Sequence, residues 1–356
     1  MIDITQYMKA SIGELIADVA RAAAGNPREL LFLARYRKAQ EKAARLRGRY
    51  EAQGAHIPPF LIASVAKDCN LRCAGCYAAV KQDCLTKAGQ LPAKRWDAIF
   101  TEAAGIGVSF ILLAGGEPLL RPDVLRVAAG HRDIIFPVFT NGTLIDGEWA
   151  RFLNKHRNLV PVLSIEGDRD ATDARRGEGV YEKLCAAMER LREKRVFFGA
   201  SVTVTTENVA QVTDAPFIRF LEKSGCGLAF YVEYVPADGQ SNALAPTDAD
   251  RAFLEARLEA IRGEKRILAI AFPGDEKLLG GCLAAGRGFF HINPNGDAEP
   301  CPFSPYSDVN LRDCTLLEAL QSPLFRNLRS SEILNARHDG GCVLFGQVEA
   351  VEKLLV

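Results

Sequence analysis

The chain has 356 residues, 48% hydrophobic and 25% charged, and its 44 Lys+Arg balance its 44 Asp+Glu to a formal net charge of zero. That length can bury one large core plus an accessory domain. The charge balance leaves no footprint of a nucleic-acid binder, no apolar run reaches the length of a membrane span, and the N-terminus lacks the pattern of a secretion signal. Ten cysteines in such a chain point to a reducing, cytoplasmic setting and to metal ligation rather than disulfides.

Residues 1–55 read as an N-terminal helical extension. Ile12, Ile16 and Val19 share one face of a helix over 11–24, which Gly25-Asn26-Pro27 ends. A second helix, from Arg28 to about Glu51, carries Arg28, Arg35, Arg37, Lys38, Lys42, Arg45, Arg47 and Arg49, offset in part by Glu29 and Glu41. It reads as the solvated face of a helix packed on the main domain. The sharper alternative is a docking surface for an acidic partner, a substrate peptide or anionic lipid headgroups, hence a peripheral membrane contact.

From residue 56 to 236, strand and helix patterns alternate. Strands are expected at 60–66, 109–113, 134–139, 160–165, 198–205 and 228–235, and helices at 92–104, 123–130, 147–156, 178–193 and 209–223. Six βα repeats predict an α/β fold with a parallel sheet. Being short of eight, it is a partial, open barrel of the TIM type. Ligands on such sheets bind at the C-terminal strand ends. Residues 237–280 read as a helical linker, and 281–356 as a small α+β domain.

The chemistry-bearing stretches fall at those strand ends. After the first strand comes Cys69-Asn70-Leu71-Arg72-Cys73-Ala74-Gly75-Cys76-Tyr77, three cysteines spaced C-x3-C-x2-C. Thiolates are the soft ligands that iron–sulfur clusters take. Three ligands leave one iron of a four-iron cluster open, and an open position means chemistry. The rival is a structural zinc site, which needs a fourth ligand; Cys84 is the nearby cysteine. After the second strand stands Gly115-Gly116-Glu117-Pro118, where glycines let backbone approach a ligand and a carboxylate can accept from an ammonium. Thr140-Asn141-Gly142-Thr143 follows the third strand, and Ser164-Ile165-Glu166-Gly167 the fourth, with Arg175 and Arg176 beyond it. The two arginines suit a carboxylate; the plain alternative pairs them with Asp168, Asp170 or Asp173. On the sixth strand Tyr231, Glu233 and Val235 face one way and Val232 and Tyr234 the other. Glu233 is then a substrate contact or a barrel-end ion pair.

The cysteine spacing resembles that of the radical S-adenosylmethionine (radical SAM) superfamily, and the order of the later motifs is similar. The resemblance implies a (βα)6 partial barrel with a 4Fe-4S cluster on Cys69, Cys73 and Cys76. There an electron cleaves SAM to a 5′-deoxyadenosyl radical that abstracts hydrogen from a substrate. It implies that Gly115, Gly116 and Glu117 bind SAM's amino group, that Thr140 and Asn141 line the SAM side, and that Ser164 and Arg176 hold its carboxylate and ribose. It also implies a reductant such as flavodoxin or ferredoxin. Two departures stand out. Glu166 replaces the usual Asp of Ser-x-Asp-Gly, and Gly75 stands where many relatives have an aromatic near the adenine, a role Tyr77 could take.

The C-terminal part resembles the auxiliary-cluster regions called SPASM and twitch. Cys282 precedes an alternating strand at 289–293, Pro294-Asn295-Gly296-Asp297 reads as a hairpin turn, and Cys301 and Cys342 follow. A full SPASM region carries further cysteines after the equivalent of Cys342, so one auxiliary 4Fe-4S cluster on Cys282, Cys301 and Cys342 is expected. Its fourth ligand is left among Cys314, His338, Cys84, substrate and solvent; burial as small apolar residues is the plain alternative for the three. Cys185 and Cys226 read as ordinary helical or core residues. The expected activity is radical SAM chemistry, with peptide or protein modification favoured over small-molecule oxidation or rearrangement. The rival classes are an iron–sulfur carrier without turnover and an interaction module working through the basic helix.

Overall fold

The computed structural model describes residues 27–80, 89–279, 281–335 and 342–355. The helix expected at 11–24, Cys84 and His338 lie outside them.

Helix α1 (Pro27–Ala52) leads into β1 (Phe60–Ala66), β2 (Phe110–Gly115), β3 (Phe136–Thr140), β4 (Leu159–Ser164), β5 (Gly199–Val204) and β6 (Leu228–Glu233). Each pairs in parallel with the next. The crossovers carry α2 (Ala93–Ile106), α3 (Pro122–Gly130), α4 (Gly147–Lys155), α5 (Arg169–Arg176), α6 (Val180–Glu193) and α7 (Ala215–Ser224). A parallel pair requires such a crossover, and helices then cover one face of the sheet. Along β1, Leu61, Ala63 and Val65 are fully buried toward that layer, while Phe60 and Ile62 line the barrel interior. Helix starts are set by side-chain caps. Asp146, Asp168 and Asp214 accept from backbone N–H groups of α4, α5 and α7, which would otherwise lack partners.

The structure extends the expected six strands at both edges. Within 237–280, α8 (Asp248–Glu264) is followed by β7 (Leu268–Phe272), which pairs in parallel with β6. On the other side β8 (His291–Ile292) runs parallel beside β1 and turns back as β9 (Ala298–Glu299). Gly296, at φ +99°, makes the hairpin turn. The nine strands form one sheet in the order β7-β6-β5-β4-β3-β2-β1-β8-β9. The barrel is therefore open, with β7 and β9 as its edges. The C-terminal stretch adds α9 (Leu316–Leu320), α10 (Pro323–Ser330) and α11 (Val348–Glu352). No described helix is long and apolar enough to cross a membrane.

Helix α1 packs on the barrel through Leu33, Tyr36, Ala39 and Ala43, all buried. Tyr36 Oη donates to Ser109 O at 3.1 Å. Arg157 Nη1 donates to Glu29 Oε2 at 2.9 Å, and both side chains are at least nine-tenths buried. Breaking such a pair strands a charge away from water. Arg157→Ala should therefore destabilise the protein by about 3 kcal/mol, and adding Glu29→Ala should restore part of that loss. Urea titrations of the single and double variants check this.

Candidate metal-cluster and cofactor site

The loop after β1 is pinned by three backbone hydrogen bonds. Gly116 N donates to Ala66 O at 2.7 Å and Glu117 N to Asp68 O at 2.9 Å. Ala74 N donates to Arg175 O at 2.8 Å. A Cβ at Gly115 would lie 2.3 Å from Ala66 O, and one at Gly116 2.2 Å from Asp68 O. These glycines line the cavity, yet the close approach that demands glycine is to the root of the cysteine loop.

Cys69, Cys73 and Cys76 are half-buried and share the rim of a cavity of about 1110 Å³ that runs through the barrel. Its inner wall is mostly apolar, with Phe60, Leu112, Phe139, Phe230, Val232 and Phe272 among the lining residues. Donors surround the sulfurs. Leu71 N is 3.4 Å and Asn141 Nδ2 3.8 Å from Cys69 Sγ, and Arg176 Nη1 is 4.0 Å from Cys73 Sγ. Burial pushes the Cys69 and Cys73 thiols up, while Arg176 pulls Cys73 back down. Among the described residues no group of three or more His, Cys, Asp or Glu is arranged to hold a single metal ion. Three thiols on one rim fit a cluster whose irons each take a separate ligand.

The neighbouring motifs form a scaffold around this rim. Glu117 is fully buried; it accepts from Leu119 N at 2.9 Å, Thr140 Oγ1 at 2.7 Å and Asn141 N at 2.8 Å. Burial raises its pKa against those donors. Thr140 and Asn141 line the cavity, as Gly115 and Gly116 do, whereas the Glu117 carboxylate ties the β2 loop to the β3 loop. Asn141 Nδ2 then donates to Asn70 Oδ1 at 2.9 Å, which secures the cysteine loop.

Ser164 and Arg176 also line the cavity. The two arginines do not pair with Asp168, Asp170 or Asp173. Both converge on Glu166, with Arg175 Nη1 at 2.6 Å and Arg176 Nε at 2.8 Å from Oε1. Asp168 instead caps α5, and Asp173 accepts from Gly179 N and Tyr181 N. Glu166 also accepts from Thr203 N at 3.1 Å. Burial would raise its pKa, but the two guanidiniums outweigh burial and hold it below the usual range.

Gly75 has φ +62°, and a Cβ there would lie 2.2 Å from Tyr234 Oη. Tyr234, buried on the far side of the barrel just after β6, therefore occupies the space above the cysteine loop. Tyr77 lines the cavity as well; it packs edge-on against Phe303 at 5.4 Å and hydrogen-bonds Ser64. Ser64 Oγ meets His291 Nε2 at 2.7 Å, and His291 Nδ1 meets Glu299 Oε2 at 2.7 Å. Of the two faces of β6, Val232 and Tyr234 line the cavity, while Tyr231 Oη donates to Val212 O outside it. Glu233 lines the cavity too and accepts from Arg251 Nε at 3.0 Å, a barrel-end ion pair.

A second, small pocket lies between the sheet edges. Cys282, Cys301, Cys342 and Glu276 line it together with Phe272, Phe289 and Phe303. The Cys301 and Cys342 thiols hydrogen-bond each other, and the Cys282 thiol meets the Glu276 carboxyl. Burial pushes the Cys282 thiol well up; the contact with Cys342 and burial do the same for Cys301. Burial is also the main cause that pushes Glu276 up to about 8. Two buried thiols and the half-buried Cys342, converging from distant stretches, fit a thiolate-ligated cluster. Cys314 is not among the lining residues; it lies at the start of α9, where its carbonyl accepts from Arg95 Nη2 at 2.7 Å.

Residues 64–216, from β1 into α7, match the family profile of the Radical SAM superfamily. The chain carries a radical SAM domain. Proteins of this superfamily use a 4Fe-4S cluster and SAM. The AdoMet-dependent heme synthase of Methanosarcina barkeri is 29% identical over 313 residues, 78% of this chain and 87% of that protein. The mycofactocin maturase MftC of Mycobacterium ulcerans is 29% identical over 309 residues, 80% of each chain. Among solved structures, Streptococcus suis SuiB bound to precursor peptide SuiA superposes with a TM-score of 0.67 at 21% identity, over 85% of this chain and 76% of that one. Every first-cluster and SAM-side residue expected from sequence, from Cys69 to Arg176, falls inside the matched stretch.

Two consequences are measurable. The stability that Glu166 contributes is fully present above its unfolded pKa of about 4.3 and is lost as pH falls through its lower folded value. Glu166→Gln should flatten that acid limb and cost about 3 kcal/mol at neutral pH, read by denaturant melts across pH. Gly75→Ala should lower the iron held by the first cluster by displacing Tyr234. Adding Tyr234→Ala should restore it only in part, because the positive φ still strains alanine.

Proposed function

We propose that this protein is an enzyme that reductively cleaves SAM and uses the resulting radical to abstract hydrogen from a peptide or protein. The observation that carries this reading is the meeting of Cys69, Cys73 and Cys76 on the rim of a large, mostly apolar cavity. A 4Fe-4S cluster bound there supplies the electron that breaks SAM's sulfonium C–S bond. The chain's own part is to hold and orient. Gly115, Gly116, Thr140 and Asn141 offer polar backbone and side-chain groups along one wall for SAM's amino end. Ser164 and Arg176 offer a hydroxyl and a fixed guanidinium for its carboxylate and ribose. Glu117 acts behind that wall, keeping the β2 and β3 loops in register. Tyr234 closes the space over Gly75, and the apolar walls exclude water from the reacting end.

Cys282, Cys301 and Cys342 would hold one auxiliary cluster, able to bind substrate or to exchange an electron with it. A reductant of the flavodoxin or ferredoxin kind would feed the first cluster. The reducing conditions both clusters need suit the cytoplasm. The peptide reading draws on MftC, a maturase by name, and on SuiB, seen with a precursor peptide. The basic helix α1 is docked on the barrel by its apolar face, so its outer face is what a partner would meet.

Anaerobic reconstitution followed by dithionite and SAM tests the chemistry. 5′-Deoxyadenosine should form, and should vanish in the Cys69→Ala/Cys73→Ala/Cys76→Ala variant. Iron-loaded protein that never cleaves SAM under any reductant would make it a carrier. The substrate class is read by adding a cell extract. Stimulation of 5′-deoxyadenosine formation that protease treatment abolishes supports a peptide; stimulation that survives protease overturns it.

A further inference from the structure

Beside its three thiols the auxiliary pocket is lined by Glu276, from the turn Gly274–Leu279 that follows β7. Its side chain is buried, 4% exposed, and the Cys282 thiol is in hydrogen-bond contact with it. Leu283 N approaches Oε2 at 3.4 Å. The other acidic residue on this pocket, Glu233, is held by Arg251. Cys314 lies elsewhere. A carboxylate aimed among three thiols completes a set of four anionic donors, which is the number a four-iron cluster takes from protein.

We propose that Glu276 is the fourth ligand of the auxiliary cluster. The assignment rests on the reading that Cys282, Cys301 and Cys342 hold such a cluster. It carries a further property. Carboxylate oxygen is a harder donor than thiolate and binds iron of such clusters less firmly. Glu276 lines the barrel cavity as well as the auxiliary pocket. The iron it holds is thus the one nearest the substrate space, and its ligand is the one a substrate donor group can displace. Phe303 also lines both spaces, so the partition between them is thin at this point.

The test uses the full chain with Cys69, Cys73 and Cys76 all changed to Ala, so that only auxiliary iron remains. This parent should hold roughly four irons per chain. Glu276→Ala should lose about one of the four on mild oxidation and show the electron paramagnetic resonance signature of a three-iron cluster. Glu276→Cys should keep all of them and resist chelators longer than the parent. Glu276→Gln, a neutral isostere, should behave like Glu276→Ala, and circular dichroism confirms that each variant folds. If the Ala variant fails to fold, the Gln variant carries the reading. Unchanged iron content and an unchanged spectrum in the folded Ala or Gln variant would overturn the assignment while leaving the auxiliary cluster standing. A parent without iron would remove the cluster and the assignment together.

Discussion

Three thiols on a short irregular loop do not face a common centre unless something outside the loop holds it there. Here the holding is done by backbone. The carbonyls of Ala66 and Asp68 receive the amides of Gly116 and Glu117, an approach that any side chain at 115 or 116 would block. From that contact the order spreads outward. Glu117 takes hold of Thr140 and Asn141, Asn141 takes hold of Asn70, and the loop ends of β1, β2 and β3 become one rigid rim. Glu117 and Asn141 are buried polar groups whose partners come from other strand ends, so the rim is only as good as the parallel register beneath it.

Electrostatics reinforce the same rim. Glu166 fixes Arg175 and Arg176, leaving a positive group 4.0 Å from Cys73 Sγ. A guanidinium that is already oriented costs little further entropy when an anion arrives. Thiolates and a cofactor carboxylate are both anions. The replacement of the usual aspartate by Glu166 is compatible with this arrangement, because the longer side chain reaches both arginines and Thr203 N at once.

The strands of the barrel were legible because parallel strands buried on both faces read as short apolar runs, as in Phe60–Ala66. The cysteine loop was legible because its spacing is itself the chemistry. β7 was not. Leu268–Phe272 is five residues long, and a short apolar run behind a helix cannot be told from the tail of that helix by periodicity. Glu166 was not seen as the arginine partner for a related reason. Asp168 and Asp173 lie closer in sequence, and only the geometry of the strand end shows that these two accept from backbone amides instead. Tyr234 and Glu276 each act across the fold, on a loop or pocket far away in sequence. A lone side chain in a turn such as Pro273-Gly274-Asp275-Glu276 carries no periodic signal.

The sheet never closes on itself by hydrogen bonds, since β7 and β9 remain its two margins. Side chains close the gap instead: Phe272 of β7 packs against Phe289, just before β8, at 5.7 Å, and Glu276, Cys282, Cys301 and Cys342 line the pocket beside them. A seam held by side chains can part without breaking a backbone ladder. The wall between the auxiliary pocket and the barrel cavity is therefore the stretch of the barrel that local rearrangement opens at least cost.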